Sequence, residues 1–176
     1  MVDSQSLESK TVSAIRPWKV SAVLWLGTCG SSDGLRTALE RNGCVIGGGA
    51  SQILAGIPVS QCEKRIKIVV TTPDELGFKF GGRLGDVFPR GLEYGLELCP
   101  PEVGPQICIQ CKLDTLGESV LIAMKPLQAK SSILSIFRVT HFHGAPTLRS
   151  SFGAEGLFCN KDDLLVFALP GEVKGN

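Results

Sequence analysis

The sequence predicts a mainly β domain of the α+β class: an antiparallel β-sandwich or barrel-like fold with one or two short helices. Apolar strand patterns recur about every 10 to 15 residues along most of the chain. The chain has 21 glycines and ten prolines, many of which separate those patterns. Only one segment has convincing helical periodicity, whereas a wound α/β sheet would alternate strands with helices.

Length and composition indicate one domain over residues 16–176. The chain has 176 residues, 43% of them apolar and 20% charged, which is enough apolar material for a core. Residues 1–15 are polar, rich in serine and aperiodic, so we expect a mobile N-terminal tail. No apolar run approaches the roughly 18 residues of a membrane-spanning helix, and Asp3, Glu8 and Lys10 interrupt any secretory signal. We therefore expect a cytosolic chain.

The first elements follow from residue type and spacing. Residues 18–26 are β-branched, aromatic and almost wholly apolar, which predicts a strand covered on both faces. After a glycine-rich loop at 27–34, Ser32 or Asp33 can cap a short helix that ends at Asn42. Two short apolar pieces separated by glycine turns, 44–49 and 53–58, follow this helix.

The remaining elements read as strands. Residues 65–70 alternate, with Ile66, Ile68 and Val70 on one face and the cations on the other, which predicts a half-buried strand with a basic outer side. Further strands are predicted at 92–99, 106–113, 119–124, 133–141 and 164–169. Antiparallel pairing of these strands is the expected outcome.

Cations cluster in the middle of a nearly neutral chain. The formal net charge is +1, which excludes a strongly basic nucleic-acid coat. Strand alternation can nevertheless gather cations on one side, where they would attract anionic headgroups or phosphates. The candidate contact residues are Lys64, Arg65, Lys67, Lys79, Arg83 and Arg90.

Cysteine and histidine motifs do not predict a metal site. Seven cysteines without a secretion signal indicate reduced, buried thiols. Cys108 and Cys111 form a C-x-x-C motif, but in a strand their side chains would point to opposite faces and could not grip one metal. His141 and His143 share a strand face with no nearby carboxylate, so a packed or surface pair is favoured. We expect no metal, no cofactor and no enzymatic activity.

A series of features resembles the first domain of the matrix proteins of non-segmented negative-strand RNA viruses. The resemblance covers about two thirds of the chain and depends on the order of the features. The similar stretches are the apolar strand 20–27, the glycine turn and strand 46–59, Gly82-Arg83-Leu84, Cys99-Pro100, the strand Ile107-Cys108-Ile109, Leu116-Gly117 with 121–126, and 131–139. The size matches the single-domain matrix proteins of borna-like viruses and plant-infecting rhabdoviruses.

The resemblance implies a self-associating structural protein of the virion and host cytoplasm. Such a protein would line the inner face of the viral envelope, contact anionic membrane and link it to the viral nucleoprotein or ribonucleoprotein. Weak contact with RNA is a further expectation. The chain departs from the family in its near-neutral charge and in lacking a P-T/S-A-P or P-P-x-Y budding motif, since Cys99-Pro100-Pro101-Glu102 has no tyrosine.

Two other functions remain open from the residues alone. One is a non-viral β-barrel or sandwich that binds a small ligand in an apolar cavity. The other is a thiol- or zinc-dependent enzyme that uses Cys108, Cys111, His141 and His143.

Overall fold

A computed structural model describes residues 16–112, 115–130 and 132–171. The tail predicted for residues 1–15 lies outside them. The strands are β1 (Ala22–Leu26), β2 (Val45–Ile46), β3 (Lys64–Thr71), β4 (Gly82–Arg83), β5 (Ser119–Ile122), β6 (Leu127–Gln128), β7 (Leu134–Phe142), β8 (Ala145–Phe152), β9 (Phe158–Cys159) and β10 (Leu164–Ala168). The helices are α1 (Ser32–Arg41), α2 (Gly48–Leu54), α3 (Leu84–Glu93) and α4 (Val103–Gln110).

The main sheet has eight strands and curls into a half-barrel. Seven strands follow the order β1-β3-β10-β5-β7-β8-β2, and β6 pairs with β7 beside them. Most pairs are antiparallel, but β10 runs parallel to β5 and β2 runs parallel to β8. The mainly β prediction is therefore confirmed, and the expectation of antiparallel pairing is wrong for these two pairs.

Helix α4 packs against one face of the sheet, which we call the inner face. Helix α3 packs against part of the opposite face, which we call the outer face. On the inner face, α4 packs so closely that a Cβ at Gly104 would lie 2.9 Å from the Phe137 side chain of β7. On the outer face, Phe88 of α3 meets Phe167 of β10 edge to face, with ring centroids 5.8 Å apart. Directly opposite residues of neighbouring strands share a face, so Val69, which pairs with Phe167, lies on the outer face too.

Several predicted elements agree with the structure. Helix α1 forms where predicted and its C-cap is Asn42, but its N-cap is Ser31, whose hydroxyl accepts from the Gly34 amide, and not Ser32 or Asp33. Strands β3, β5, β7 and β10 fall inside or within one residue of the predicted stretches. Strand β1 occupies the second half of the stretch predicted at 18–26.

Other predicted elements are wrong, and four helices replace the one or two expected. Residues 106–113 were predicted as a strand but contain the second half of α4, and residues 92–99 contain the end of α3 and a turn. The glycine-rich stretch 46–59 forms α2 instead of a turn and a strand. The strand assigned to Ile107-Cys108-Ile109 by the matrix resemblance is therefore helical.

The close approach of α3 to the sheet predicts opposite effects for two glycine substitutions. In α3, a Cβ at Gly91 would lie 2.6 Å from the Phe167 ring, while a Cβ at Gly48 in α2 would meet nothing within 4 Å. We expect Gly91→Ala to lower the free energy of unfolding by about 1–2 kcal/mol, because overpacking outweighs the gain in helix propensity. Gly48→Ala should leave the free energy of unfolding unchanged or raise it. Urea unfolding of both variants measures the difference, and equal stabilities would contradict the packing described.

Candidate interaction surface

One open face of the sheet combines apolar and cationic side chains. Strand β1 is an edge strand and pairs antiparallel with β3, which places Val23 opposite Lys67 and Trp25 opposite Arg65. All four side chains are exposed, and 46% of Trp25 is accessible. The Arg65 guanidinium carbon lies 5.8 Å from the centre of the Trp25 ring, within cation–π distance. We call Val23, Trp25, Arg65 and Lys67 the β1–β3 face.

This face is open because α3 covers only the other end of the outer surface. Val69 lies on the same side of β3 as Arg65 and Lys67, yet it is buried. Its cross-strand partner Phe167 is buried against α3. The sheet is thus covered at the C-terminal end of β3 and uncovered at the N-terminal end.

The prediction that residues 18–26 are covered on both faces is wrong. Leu24 and Leu26 are buried, whereas the alternate residues Val23 and Trp25 are exposed. Sequence reasoning therefore missed two apolar members of the β1–β3 face. Because both faces of β1 carry apolar residues, the sequence lacks the polar alternation that would have marked the outer face.

The six candidate cations occupy two separate regions. Lys64, Arg65 and Lys67 lie on β3, but Lys64 belongs to the side of the strand that carries Ile66. Lys79, Arg83 and Arg90 lie beyond the end of β3. Only Arg65 and Lys67 therefore belong to the β1–β3 face.

Local partners engage two of the three cations outside β3. Lys79 Nζ lies 3.2 Å from Asp74 Oδ1. Arg90 is half-buried inside α3, where it pairs with Glu93 at 3.1 Å and lies over the Phe78 ring. Arg83 is exposed in the two-stranded β4–β9 ladder. Sequence counting could not separate these local contacts from a shared binding face.

A buried carboxylate holds the end of β1 in position. Glu102 is 1% exposed, and one of its oxygens accepts a hydrogen bond of 2.7 Å from the Gly27 amide. The other oxygen accepts from the Ser60 amide at 3.0 Å, and Gln106 Nε2 donates to the first oxygen at 3.1 Å. Glu102 thus joins the end of β1, the segment before β3 and helix α4.

The Gln110 side chain of α4 forms hydrogen bonds with the free edge of β1. The Gln110 amide accepts from the Trp25 N–H at 2.9 Å and donates to the Trp25 carbonyl at 2.7 Å. It also donates to Gln106 Oε1 at 2.6 Å, so Glu102, Gln106 and Gln110 form a ladder along α4. These bonds satisfy the backbone at Trp25 that an edge strand would otherwise offer to another chain.

Other apolar side chains are exposed away from the β1–β3 face. Phe80 is 92% exposed in the turn before β4, and Phe158 of β9 packs against the backbone of Gly81. Phe142 and Phe152 are more than half exposed at the ends of β7 and β8. Apolar side chains exposed singly are ordinary on a protein surface, so these rings do not by themselves mark a contact site.

An open groove of about 450 Å³ lies between α2 and β8. Ser150, Ser151 and Phe152 of β8 form one wall, and Gly49 and Gln52 of α2 form another. Its volume is within the range of small-molecule sites, although it is open to solvent.

The cysteines differ in environment. The Cys44 sulfur lies 3.2 Å from the backbone oxygen of Cys108, and a side-chain hydrogen bond with Cys108 lowers the pKa of Cys44. The same hydrogen bond, followed by burial, raises the pKa of Cys108. Burial raises the pKa of Cys99, and it raises the pKa of Cys159 to about 11. Cys44 is thus the thiol whose ionisation its surroundings favour.

The geometric argument against the C-x-x-C motif is wrong. Cys108 lies in α4 and Cys111 is its C-cap, so the two are one helical turn apart and not on opposite faces of a strand. His141 lies on β7, while His143 lies in the β7–β8 turn with φ of 50°, so the two do not share a strand face. Within residues 16–112, 115–130 and 132–171, no group of three or more His, Cys, Asp or Glu is arranged to hold a metal ion.

Comparison of the chain with protein-family models, curated proteins and solved structures finds no match. In the part of the chain that the structure describes, no helix has the length and hydrophobicity needed to cross a bilayer.

The Glu102 network predicts a large loss of stability when its carboxylate is removed. Glu102→Ala would leave the partly buried Gly27 and Ser60 amides without this partner, and hydrogen bonds to charged groups contribute about 1.5–3 kcal/mol each. We expect the free energy of unfolding to fall by about 3 kcal/mol or more, measured by urea denaturation. Glu40→Ala, at an exposed carboxylate of α1, is the control and should change it little. A loss below about 0.5 kcal/mol for Glu102→Ala would contradict this role.

Proposed function

We propose that this chain is a non-enzymatic, self-associating structural protein of the viral matrix type, which contacts anionic membrane through the β1–β3 face. The pairing of Trp25 with Arg65 and of Val23 with Lys67 on an uncovered face of the sheet carries the proposal. Tryptophan prefers the membrane–water interface, and cations beside it bind anionic headgroups at about 1 kcal/mol each.

A small contact of this kind suits an assembling protein. Two cations and one half-exposed tryptophan give weak attachment per copy, which is consistent with the net charge of +1. An array of copies multiplies such contacts, so weak binding by each protomer is sufficient. Contacts between copies, or with the viral nucleoprotein, are part of the same proposal, and the exposed rings of Phe80, Phe142, Phe152 and Phe158 are available for them. We include in the same proposal that the protein binds the viral ribonucleoprotein and contacts RNA weakly.

Vesicle flotation tests the membrane contact. We expect the protein to float with vesicles that contain anionic phospholipid, less so at high salt, and little with neutral vesicles. Arg65→Glu/Lys67→Glu should weaken binding at low salt by about tenfold or more, because two attractive charges become repulsive. Trp25→Ala should weaken binding at both salt concentrations, because its contribution is apolar.

A charge-matched control distinguishes the face from the net charge. Lys125→Glu/Lys161→Glu changes the net charge by the same amount at exposed positions outside the β1–β3 face. Its binding should exceed that of Arg65→Glu/Lys67→Glu by several fold. An equal loss of vesicle binding in both double variants would overturn the proposed contact. Binding that is the same at low and high salt and in all of these variants would also overturn it.

The groove between α2 and β8 favours a second candidate, a monomeric protein that binds a small ligand. Size-exclusion chromatography with light scattering separates the two. For the matrix type we expect growth beyond a dimer as concentration rises, with a dependence on salt strength. A constant monomer across concentrations would contradict self-association and favour the ligand-binding candidate.

A further inference from the structure

Cysteines from two distant parts of the chain meet where α4 passes the segment between α1 and β2. The Cys44 thiol donates a hydrogen bond of 3.2 Å to the backbone carbonyl of Cys108, although 64 positions separate the two residues. Cys44 and Cys108 are buried, and all seven cysteines are free thiols in the structure. No step of the proposed membrane contact uses this pair.

We propose that Cys44 and Cys108 form a reversible intramolecular disulfide when the protein meets a hydroperoxide. The 3.2 Å approach of the Cys44 sulfur to the backbone of Cys108 makes the two residues neighbours in the interior, which is the proximity that a disulfide needs. The pair lies away from the β1–β3 face, so this inference goes beyond the proposed function.

The two thiols have different roles in this chemistry. In the structure the Cys44 thiol donates to the Cys108 carbonyl, and a side-chain hydrogen bond with Cys108 lowers the pKa of Cys44. The same bond and burial raise the pKa of Cys108, so we assign the attack on the peroxide to Cys44 and the second step to Cys108.

The oxidation proceeds in two balanced steps. The Cys44 thiolate attacks one oxygen of hydrogen peroxide, the O–O bond breaks and the other oxygen leaves as hydroxide, which takes up the proton that Cys44 released and becomes water. Cys44 is then a sulfenic acid. The Cys108 sulfur then attacks the Cys44 sulfur, the S–O bond breaks and a second water leaves with the Cys108 proton. Two thiols lose two electrons and the peroxide gains them. A dithiol reductant restores both thiols by exchange.

The remaining cysteines are less suited to this reaction. Burial raises the pKa of Cys99 and Cys159, and the Cys99 thiol donates to the Val166 carbonyl at 3.4 Å. Cys62 is exposed. Cys111 is near Cys108 but partly buried, and burial raises its pKa. Because Cys111 is one turn from Cys108, it is the natural competitor as a partner, and the test must separate 44–108 from 108–111.

Peptide mapping after peroxide treatment of the full chain gives this test. Trypsin releases residues 42–64, which hold Cys44 and Cys62, and residues 91–112, which hold Cys99, Cys108 and Cys111. After hydrogen peroxide, we expect these two peptides to be cross-linked, with tandem mass spectrometry assigning the bond to Cys44 and Cys108. Thiol titration should fall from seven to five per chain and return to seven with dithiothreitol.

Variants on the same peptides serve as controls. Cys44→Ala and Cys108→Ala should abolish the cross-link, while Cys62→Ala and Cys99→Ala should retain it. The mapping of the unsubstituted chain decides the question even if Cys108→Ala does not fold. A bond between Cys108 and Cys111, a bond through Cys62, or sulfinic acid on Cys44 without a cross-link would overturn the proposal.

Discussion

The buried Glu102 carboxylate is the constraint on which the open face depends. A charged group at 1% exposure is costly to bury unless hydrogen bonds satisfy its oxygens, and here two backbone amides and the Gln106 side chain do so. Its bonds to Gly27 and Ser60 fix the end of β1 relative to the segment that leads into β3. Since Val23 and Trp25 belong to this edge strand, their alignment with Lys67 and Arg65 rests on the same carboxylate.

The strands of this fold were easier to predict than its helices, and α4 explains why. Residues 102–108 are all buried, and the polar side chains of Glu102 and Gln106 bond inside the protein, so α4 lacks the solvent-exposed polar side of a surface helix. A short apolar run without periodicity reads as a strand. In α3, the internal Pro89 hid the helix in the same way. Strand β8 was missed because Ser150 and Ser151 weaken its apolar pattern. The His143-Gly144 turn, with positive φ at both residues, was the available signal.

The cations of the candidate face were visible in the sequence, but their grouping was not. Alternation along 65–70 correctly separated Arg65 and Lys67 from Ile66 and Ile68, because a single strand fixes the side of each residue. Whether that side is covered depends on how α3 packs against Phe167. Phe167 is about 100 positions beyond Lys67 in the chain. Strand alternation carries no information on contacts of such separation. Trp25 therefore entered the candidate face only through its register with Arg65.

Helix α4 connects the two surfaces of interest through opposite sides. Glu102, Gln106 and Gln110 recur every four residues and face β1. Cys108 is two positions from Gln106, about 200° around the helix, and contacts Cys44. A covalent bond at Cys108 would therefore anchor α4 from the side opposite its hydrogen bonds to β1. Because the helix is buried and packed against Phe137, it cannot shift freely on one side without disturbing the other. A change at Cys108 would therefore reach Trp25 only by moving α4, which carries Gln110 on its other side.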